Sequence, residues 1–209
     1  MNILIADDHQ IVRRGLKDIL ADEFDDLYCG EARNGQEALE AARQQAWDIV
    51  LLDIKMPGRS GLEILEELRK LRPKMPVVMI SAFPEEDYAL RAFKLGAAGY
   101  VSKEGASDEL LAAVRKALAG GRYVTPVLAE KMAATLAGET PLAPHESLSN
   151  RELEVLRLIA AGRSIKQVAA ELSLGEKTIG TYRLRLSRKI GLSTNVELAR
   201  YAMQHKLVD

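Results

Sequence analysis

The feature that most constrains the fold is a fivefold alternation of short apolar segments with amphipathic segments across residues 2–119. The predicted strands are residues 2–6, 27–31, 48–52, 77–80 and 98–101, and the predicted helices are residues 11–20, 34–46, 60–71, 84–95 and 107–119. Apolar strands that alternate with helices are typical of a parallel sheet covered on both faces. The first part of the chain is therefore predicted to be an α/β domain.

The second part of the chain shows only helical periodicity, beginning at Leu148. A short predicted helix, a tight turn at Gly175 and a longer helix over residues 176–190 are typical of a helix-turn-helix. Residues 138–145 contain one glycine and two prolines without periodicity, which predicts a linker. We expect an α/β domain over residues 1–121, a linker with a short helix over residues 122–147, and an all-α domain of four helices over residues 148–209.

The net charge of −1 conceals a difference between the two parts. Residues 143–209 carry 11 Lys or Arg against 7 Asp or Glu, whereas the preceding 142 residues carry 18 against 23. A basic second part favours a nucleic-acid partner, although a solvated basic face accounts for the same surplus. The charge distribution therefore supports such a partner without deciding it.

The composition excludes several classes of protein. Hydrophobic residues make up 47% of the chain and charged residues 28%, which is typical of a folded globular protein. The single cysteine, Cys29, allows no intramolecular disulfide. The apolar runs are far shorter than a membrane span, and the N-terminus has no basic leader, so we expect a cytoplasmic protein without a membrane partner.

Polar residues follow four of the predicted strands. Asp7 and Asp8 follow the first strand, Asp53 the third, Ser81 the fourth and Lys103 the fifth. Ligands of such sheets bind at the carboxyl ends of the strands, so we expect these side chains to converge. Because three adjacent carboxylates repel one another, the cluster predicts a Mg²⁺ site with Asp8 and Asp53 as direct ligands and Asp7 acting through water.

The same residues predict the acceptance of a phosphoryl group. The Asp53 carboxylate is the expected nucleophile, Mg²⁺ offsets charge on the phosphoryl oxygens, and Lys103 and Ser81 hold those oxygens. A single aspartate at a strand end is usually a cap or turn residue, and a single lysine is usually solvated. The prediction therefore depends on their joint occurrence at four strand ends.

Four motifs in the first part resemble the receiver domain of two-component response regulators. They are Ile5-Ala6-Asp7-Asp8-His9, Leu52-Asp53-Ile54-Lys55-Met56-Pro57, Ile80-Ser81-Ala82 and Gly99-Tyr100-Val101-Ser102-Lys103. The resemblance covers residues 1–121 and implies an α/β flavodoxin-like (βα)5 fold. It also implies that Asp53 is phosphorylated from a phosphohistidine of a partner sensor histidine kinase.

The resemblance assigns two further roles. It implies that the backbone carbonyl of Lys55 is a Mg²⁺ ligand, and that Tyr100 is a switch residue that turns inward as Ser81 moves onto the phosphoryl group. An edge aromatic with no switching role remains an alternative for Tyr100. Glu104 stands where many receivers have proline, which leaves the geometry of the preceding peptide bond open. His9 adjoins the acidic pair and is given no catalytic role.

The longer helix of the helix-turn-helix has two different faces. Ile179, Leu186 and Ile190 share one face at 3.6 residues per turn. Lys177, Thr181, Leu184 and Arg188 share the other, flanked by Gly180 and Arg185. An apolar face backed by a basic face fits a recognition helix in the DNA major groove, and a solvated face of a generic helical module is the alternative.

The second part resembles the LuxR-type helix-turn-helix in residues 148–156, 159–164, 177–183 and 197–202. The whole chain thus resembles a NarL/FixJ-family response regulator, and Thr181-Tyr182-Arg183 resembles its GacA/UvrY branch. The expected DNA contacts are Ser164, Lys166, Lys177, Thr178, Gly180, Thr181, Tyr182, Leu184, Arg185 and Arg188. Gly180 and Leu184 stand where many relatives have lysines, so readout should depend on apolar contacts with thymine methyl groups.

Together, these predictions describe a transcription factor whose activity is switched by phosphorylation of Asp53. We expect phosphorylation to control homodimerisation and the binding of double-stranded DNA, with residues 195–205 as a dimer surface. We expect no enzymatic activity beyond the protein's own phosphoryl transfer. The alternatives are a relay whose helical domain binds a partner protein, which the basic face disfavours, and an enzyme with another substrate, for which no pocket motif is present.

Overall fold

The computed structural model describes residues 1–82, 85–105, 107–137, 143–205 and 207–208. The chain forms two compact units, Met1–Ala133 and Ala134–Asp209, which are considered separately. The division lies within the predicted linker, of which residues 138–142 lie outside the described residues. In the described parts of the chain, no helix has both the length and the apolar character that crossing a membrane requires.

The first unit contains five strands and their connecting helices. The strands are β1 (Asn2–Ala6), β2 (Tyr28–Ala32), β3 (Ile49–Asp53), β4 (Val77–Ser81) and β5 (Gly99–Ser102). The helices are α1 (Gln10–Glu23), α2 (Gly35–Gln44), α3 (Gly61–Leu71), α4 (Glu85–Lys94) and α5 (Ser107–Leu118), and α6 (Pro126–Leu136) follows. All strands are parallel in the order β2-β1-β3-β4-β5, which confirms the predicted flavodoxin-like fold.

Helices cover both faces of this sheet. Apolar residues of α1 and α5 pack against one face, which includes Ile3, Leu51 and Val78. Side chains alternate between faces along a strand, and Leu4 and Val50, which point to the other face, are also fully buried. Burial on both faces explains why the strand sequences are almost continuously apolar.

Some elements end at residues other than those predicted. Helix α2 ends at Gln44, two residues early, where the Trp47 indole N–H donates to the Ala41 carbonyl of the last turn at 3.0 Å. Strands β2, β3 and β5 each begin one residue later than predicted. Helix α4 begins at Glu85, and Pro84, the predicted first residue, lies outside the described residues.

The second unit consists of helices in its described part, as predicted. They are a 3-10 helix (Pro144–Ser147), α7 (Asn150–Ala160), α8 (Ile165–Glu171), α9 (Glu176–Ile190) and α10 (Asn195–Gln204). Ser149, Ser164 and Thr194 begin α7, α8 and α10 with capping boxes. Gly175 begins α9 without a side-chain cap, and Gly191 ends it in the left-handed conformation with φ of 80°.

Candidate functional site

Four strands bring polar side chains to one edge of the sheet. Asp7 follows β1, Asp53 ends β3, Ser81 ends β4 and Lys103 follows β5. These strands are parallel neighbours, so their carboxyl ends meet at the same edge. Asp7, Asp53 and Ser81 are at most 2% exposed, and polar groups buried to this extent require partners.

Lys103 is the partner of both buried carboxylates. Its Nζ lies 2.8 Å from Asp53 Oδ2 and 2.6 Å from Asp7 Oδ2. The Lys103 backbone N–H donates to the Ser81 carbonyl at 2.8 Å, which anchors the base of the side chain beside β4. The carboxylates of Asp7 and Asp53 therefore both contact the ammonium group of Lys103 through short charge-assisted contacts.

Burial and this ammonium group together determine the protonation of the site. Burial raises the pKa of Asp53 to about 6, while Lys103 opposes the increase and Asp7 adds to it. Burial lowers the pKa of Lys103, but its hydrogen bonds to Asp53 and Asp7 outweigh this effect and leave that pKa above its ordinary value. Near neutral pH, Asp53 is therefore mainly a carboxylate facing a cation, as a nucleophile requires.

Further ligand atoms lie beside this ion pair. One oxygen from each of Asp7, Asp8 and Asp53 and one ring nitrogen of His9 all lie within 4.8 Å of one another. A set dominated by carboxylate oxygens fits a hard divalent cation. Lys55, the predicted carbonyl ligand, is exposed, and its backbone N–H donates to Asp53 Oδ1 at 3.3 Å. The donor set therefore fits Mg²⁺.

The two predicted switch residues are both buried. Ser81 is fully buried, and Tyr100 is 1% exposed on the neighbouring strand β5. Ser81 pairs with Ser102 in the parallel register, and Tyr100 precedes Ser102 by two residues. Because the side-chain repeat of a strand is two residues, Ser81 and Tyr100 lie on the same face of the sheet. The two buried side chains therefore lie near each other on adjacent strands of the sheet.

The second unit presents the predicted DNA contacts at its surface. Ile179 and Leu186 are fully buried, so the opposite face of α9 is the accessible one. The exposed predicted contacts are Ser164, Lys166, Lys177, Thr178, Gly180, Thr181, Leu184, Arg185 and Arg188, and Tyr182 is half-buried. Lys177, Thr181 and Arg185 line a shallow depression. A basic helix face with small residues between the cations fits the major groove.

Two other cations of α9 bind residues of their own unit. Arg183 donates to Asn195 Oδ1 at 2.8 Å, which links α9 to the start of α10. Lys189 Nζ lies 2.6 Å from Oε2 of Glu152, a buried carboxylate in the first turn of α7. Hydrogen bonds to Lys189 and to Ser149 outweigh the effect of burial and lower the pKa of the Glu152 carboxyl. These two cations stabilise the unit, and neither was a predicted DNA contact.

Comparisons with known protein families decide what kind of protein has these two surfaces. The family described as response regulator receiver domain matches residues 3–115, and the family described as bacterial regulatory proteins, luxR family, matches residues 146–202. The chain belongs to the response regulator family. It is a two-component response regulator with a receiver domain and a LuxR-type DNA-binding domain.

Relatives match this response regulator along its whole length. The response regulator GacA of Pseudomonas aeruginosa is 35% identical over 210 residues, covering 100% of this chain and 98% of its own. The response regulator UvrY of Escherichia coli is 34% identical over 208 residues, covering 99% and 95%. These matches confirm the resemblance to the GacA/UvrY branch.

Solved structures of response regulators have the same fold. A structure of RcsB from Salmonella typhimurium is 25% identical with a TM-score of 0.72, covering 98% of this chain and 97% of its own. RcsB from Salmonella enterica serovar Typhimurium, bound to promoter rprA in the presence of the phosphomimetic BeF3-, is 26% identical with a TM-score of 0.66. That match covers 96% of this response regulator and 98% of RcsB.

Sequence reasoning missed one residue beside the site of this response regulator. Arg13 is 5% exposed and donates to the Asp7 carbonyl through Nη1 and to Glu31 through Nε, both at 2.8 Å. The Arg13 bond lowers the pKa of the Glu31 carboxyl. The available signal was the position of Arg13 on the buried face of α1 with Leu16 and Leu20, where a charged residue requires a partner.

Proposed function

We propose that Asp53 accepts a phosphoryl group from a phosphohistidine of a sensor histidine kinase, and that this modification controls DNA binding. The observation that carries the proposal is the Lys103 ammonium between two buried carboxylates, Asp7 and Asp53, at the carboxyl edge of the sheet. It provides an ionised nucleophile and a cation already placed for the incoming phosphoryl oxygens.

The chemistry follows from these positions. An oxygen of Asp53 attacks the phosphorus atom, the bond from phosphorus to the imidazole nitrogen breaks, and the kinase histidine departs. Lys103 exchanges a contact with Asp53 for a phosphoryl oxygen, and the Ser81 hydroxyl donates to another. Asp7, Asp8, Asp53 and the Lys55 carbonyl would hold Mg²⁺, which when bound offsets the negative charge of the carboxylates and phosphoryl oxygens.

The movement of Ser81 onto the phosphoryl group is the start of the switch. Tyr100 lies on the same face of the sheet and on the adjacent strand, so it relays that movement to the surface formed by α4 and β5. A new charge at one buried site thereby changes a surface at which two copies meet. Beyond this self-modification, the protein catalyses no reaction in this proposal.

The phosphorylated protein binds double-stranded DNA as a homodimer in this proposal. Lys177 and Arg188 contact phosphates, while Thr181 and Leu184 approach base edges. A basic exposed helix face and the promoter-bound relative RcsB support this assignment. A chromosomal target implies a cytoplasmic protein.

The domain boundaries and the dimer surface are part of the same proposal. Residues 1–121 form the receiver domain, residues 148–209 form the DNA-binding domain, and residues 122–147 connect them. Val196 and Met203 lie seven residues apart on one side of α10 and are 78% and 57% exposed. Exposed apolar side chains at this spacing support α10 as the dimer surface of the DNA-binding domain.

Intact-mass measurement of the full-length protein with Mg²⁺ and a small acyl phosphate tests the phosphorylation. We expect one labile phosphoryl adduct on the wild-type protein and none on Asp53→Ala. Asp22→Ala is the matched control, because Asp22 is an exposed aspartate on α1 and its loss should leave the adduct unchanged. An adduct on Asp53→Ala, or none on folded wild-type protein, would refute the proposal.

A further inference from the structure

We infer that Thr125 transmits the switch of this response regulator to the linker between its domains, through a hydrogen bond to Glu85 that phosphorylation releases. The inference rests on the proposed phosphorylation of Asp53 and names the contact by which that event reaches residues 122–147. It concerns a hydroxyl group that has no part in the phosphoryl transfer described above.

The chain that follows α5 lies along β5, the last strand of the sheet. The Tyr123 backbone N–H donates to the Ala98 carbonyl at 2.8 Å, and Tyr123 forms a parallel bridge with Gly99. A Cβ added at Gly99 would lie 3.4 Å from Tyr123 Cβ, so the two segments pack closely. The start of the linker is therefore held against the strand that contains Tyr100.

The side chain of Tyr123 lies near helices on both sides of β5 in the chain. It packs against the apolar core cluster that includes Val101 and Leu110. Burial raises the pKa of the Tyr123 hydroxyl, and the carboxylates of Glu109 on α5 and Glu85 on α4 add to the increase. The linker therefore contacts the same part of the first unit that includes α4 and β5.

The hydroxyl of Thr125 joins the start of α6 to the start of α4. Thr125 Oγ1 donates to Glu85 Oε2 at 2.6 Å and accepts from the Leu128 backbone N–H at 3.2 Å. Thr125 immediately precedes α6, so the bond from Leu128 is an N-cap. The bond to Glu85 joins two elements whose bonded residues are 40 positions apart in the sequence. One hydroxyl therefore caps α6 and also ties it to α4.

Both attachments of the linker adjoin the switch residues. Glu85 begins α4 four residues after Ser81, which ends β4, and the bridge to Tyr123 lies one residue before Tyr100 on β5. A movement of Ser81 onto a phosphoryl group displaces the segment from β4 to α4, and with it Glu85. Because a hydrogen bond weakens steeply as its distance and angle depart from the ideal, this displacement releases the bond from Thr125.

The bond between Thr125 and Glu85 belongs to the state that precedes phosphorylation. The same structure contains the contact of Lys103 with Asp53 at 2.8 Å, which a phosphoryl group on Asp53 would replace. A bond that is present in only one of two states shifts the equilibrium toward that state. Its loss therefore favours the phosphorylated arrangement, and because α6 leads into the second unit, the loss removes a constraint on the DNA-binding domain.

Substitutions at Thr125 separate the two bonds of its hydroxyl. Thr125→Asp keeps an acceptor for the cap of α6 but places a second carboxylate against Glu85, whereas Thr125→Ser keeps both bonds. We expect unphosphorylated full-length Thr125→Asp to bind a duplex selected from a random-sequence pool about fivefold more tightly than the wild-type protein, the factor that one hydrogen bond of ordinary net strength gives. Thr125→Ser should bind as the wild-type protein does.

Val127→Asp is the matched control for the added charge, because Val127 is 62% exposed and lies in the first turn of α6. An added negative charge repels DNA, so this variant should show no gain in affinity. Equal affinities of Thr125→Asp and Thr125→Ser, or the same gain in Val127→Asp, would overturn the inference.

Amide hydrogen exchange of the full-length proteins measures the release of α6 without DNA. We expect exchange in residues 128–133 to be about fivefold faster in unphosphorylated Thr125→Asp and in the phosphorylated wild-type protein than in the unphosphorylated wild-type protein, with Thr125→Ser unchanged. Loss of the cap does not account for such an increase, since Thr125→Asp retains it. No phosphoryl adduct on folded wild-type protein would refute the proposed function, whereas an adduct without faster exchange in α6 would overturn the inference alone.

Discussion

At the scale of single residues, the unusual protonation of Asp53 has a consequence for stability. Burial raises the pKa of Asp53 to about 6 from an ordinary 3.8. Because this higher pKa belongs to the folded state, ionisation of Asp53 weakens folding as the pH rises from about 4 to about 6. We therefore expect the free energy of unfolding of Asp53→Asn minus that of the wild-type protein to increase as the pH rises through this window.

Urea unfolding of both proteins, at several pH values and without divalent cations, measures this difference. Taking the difference between the two proteins removes the contributions of carboxyls with lowered pKa values, such as Glu31 and Glu152, which act in the opposite direction. A difference that stays constant from pH 4 to pH 7 would contradict the stated environment of Asp53.

The buried side chain of Arg13 also contributes to the stability of the fold. We expect Arg13→Met to lower the free energy of unfolding by about 1–3 kcal/mol, because the buried Asp7 carbonyl loses its donor. Lys17→Met is the matched control, since Lys17 binds the same Glu31 carboxylate from a more exposed position and should cost less than about 1 kcal/mol. Denaturant titrations that give equal losses for the two variants would count against a buried role for Arg13.

At the scale of secondary-structure elements, local signals made much of the fold and site predictable. A parallel strand followed by a helix ends at a fixed edge of the sheet, so Asp7, Asp53 and Lys103 were expected to meet there. The capping boxes at Ser149 and Thr194 each join a residue to its neighbour three positions later, so they too are local. In both cases the signal is local in the sequence: the residue that follows one strand, or two residues within one helix turn.

Contacts between residues far apart in the sequence, and a helix that depends on one, were not predicted. The partner of Arg13 is Glu31, which lies eighteen residues away on another element. The 3-10 helix over Pro144–Ser147 lies in the predicted linker, where the His145 backbone N–H donates to the Tyr201 hydroxyl, 56 residues away, at 3.2 Å. Such pairs have no periodicity, so the sequence alone does not indicate which distant residue is the partner.

The start of α9 provides a prediction at this scale. Gly175 has an extended backbone with φ of −75°, and an added Cβ would meet only Thr178 Oγ1, at 3.8 Å. A serine fits there and can accept a hydrogen bond from a backbone N–H of the first turn. We expect Gly175→Ser to raise the free energy of unfolding by a few tenths of a kcal/mol and Gly175→Ala to give no increase. Equal effects of serine and alanine on the denaturation midpoint would show that capping is not the cause.

At the scale of the whole molecule, the surplus of positive charge in residues 143–209 acts where it is exposed on α9. Lys177→Ala and Arg188→Ala should each weaken binding to every duplex and reduce the magnitude of the salt slope by about one, because each removes a phosphate contact. Lys70→Ala, an exposed lysine of the first unit, is the matched control. Fluorescence anisotropy across salt concentrations measures these slopes, and an unchanged slope would contradict phosphate contacts by these residues.

We propose that phosphorylation of Asp53 controls DNA binding through α9. The most direct test of this proposal is the affinity of the full-length protein for a duplex selected from a random-sequence pool, measured at fixed salt before and after treatment with Mg²⁺ and an acyl phosphate. We predict an increase of about tenfold for the wild-type protein, within the usual range of coupling between two sites, and no change for Asp53→Asn. Equal affinities of the phosphorylated and unphosphorylated wild-type protein, or the same increase in Asp53→Asn, would contradict it.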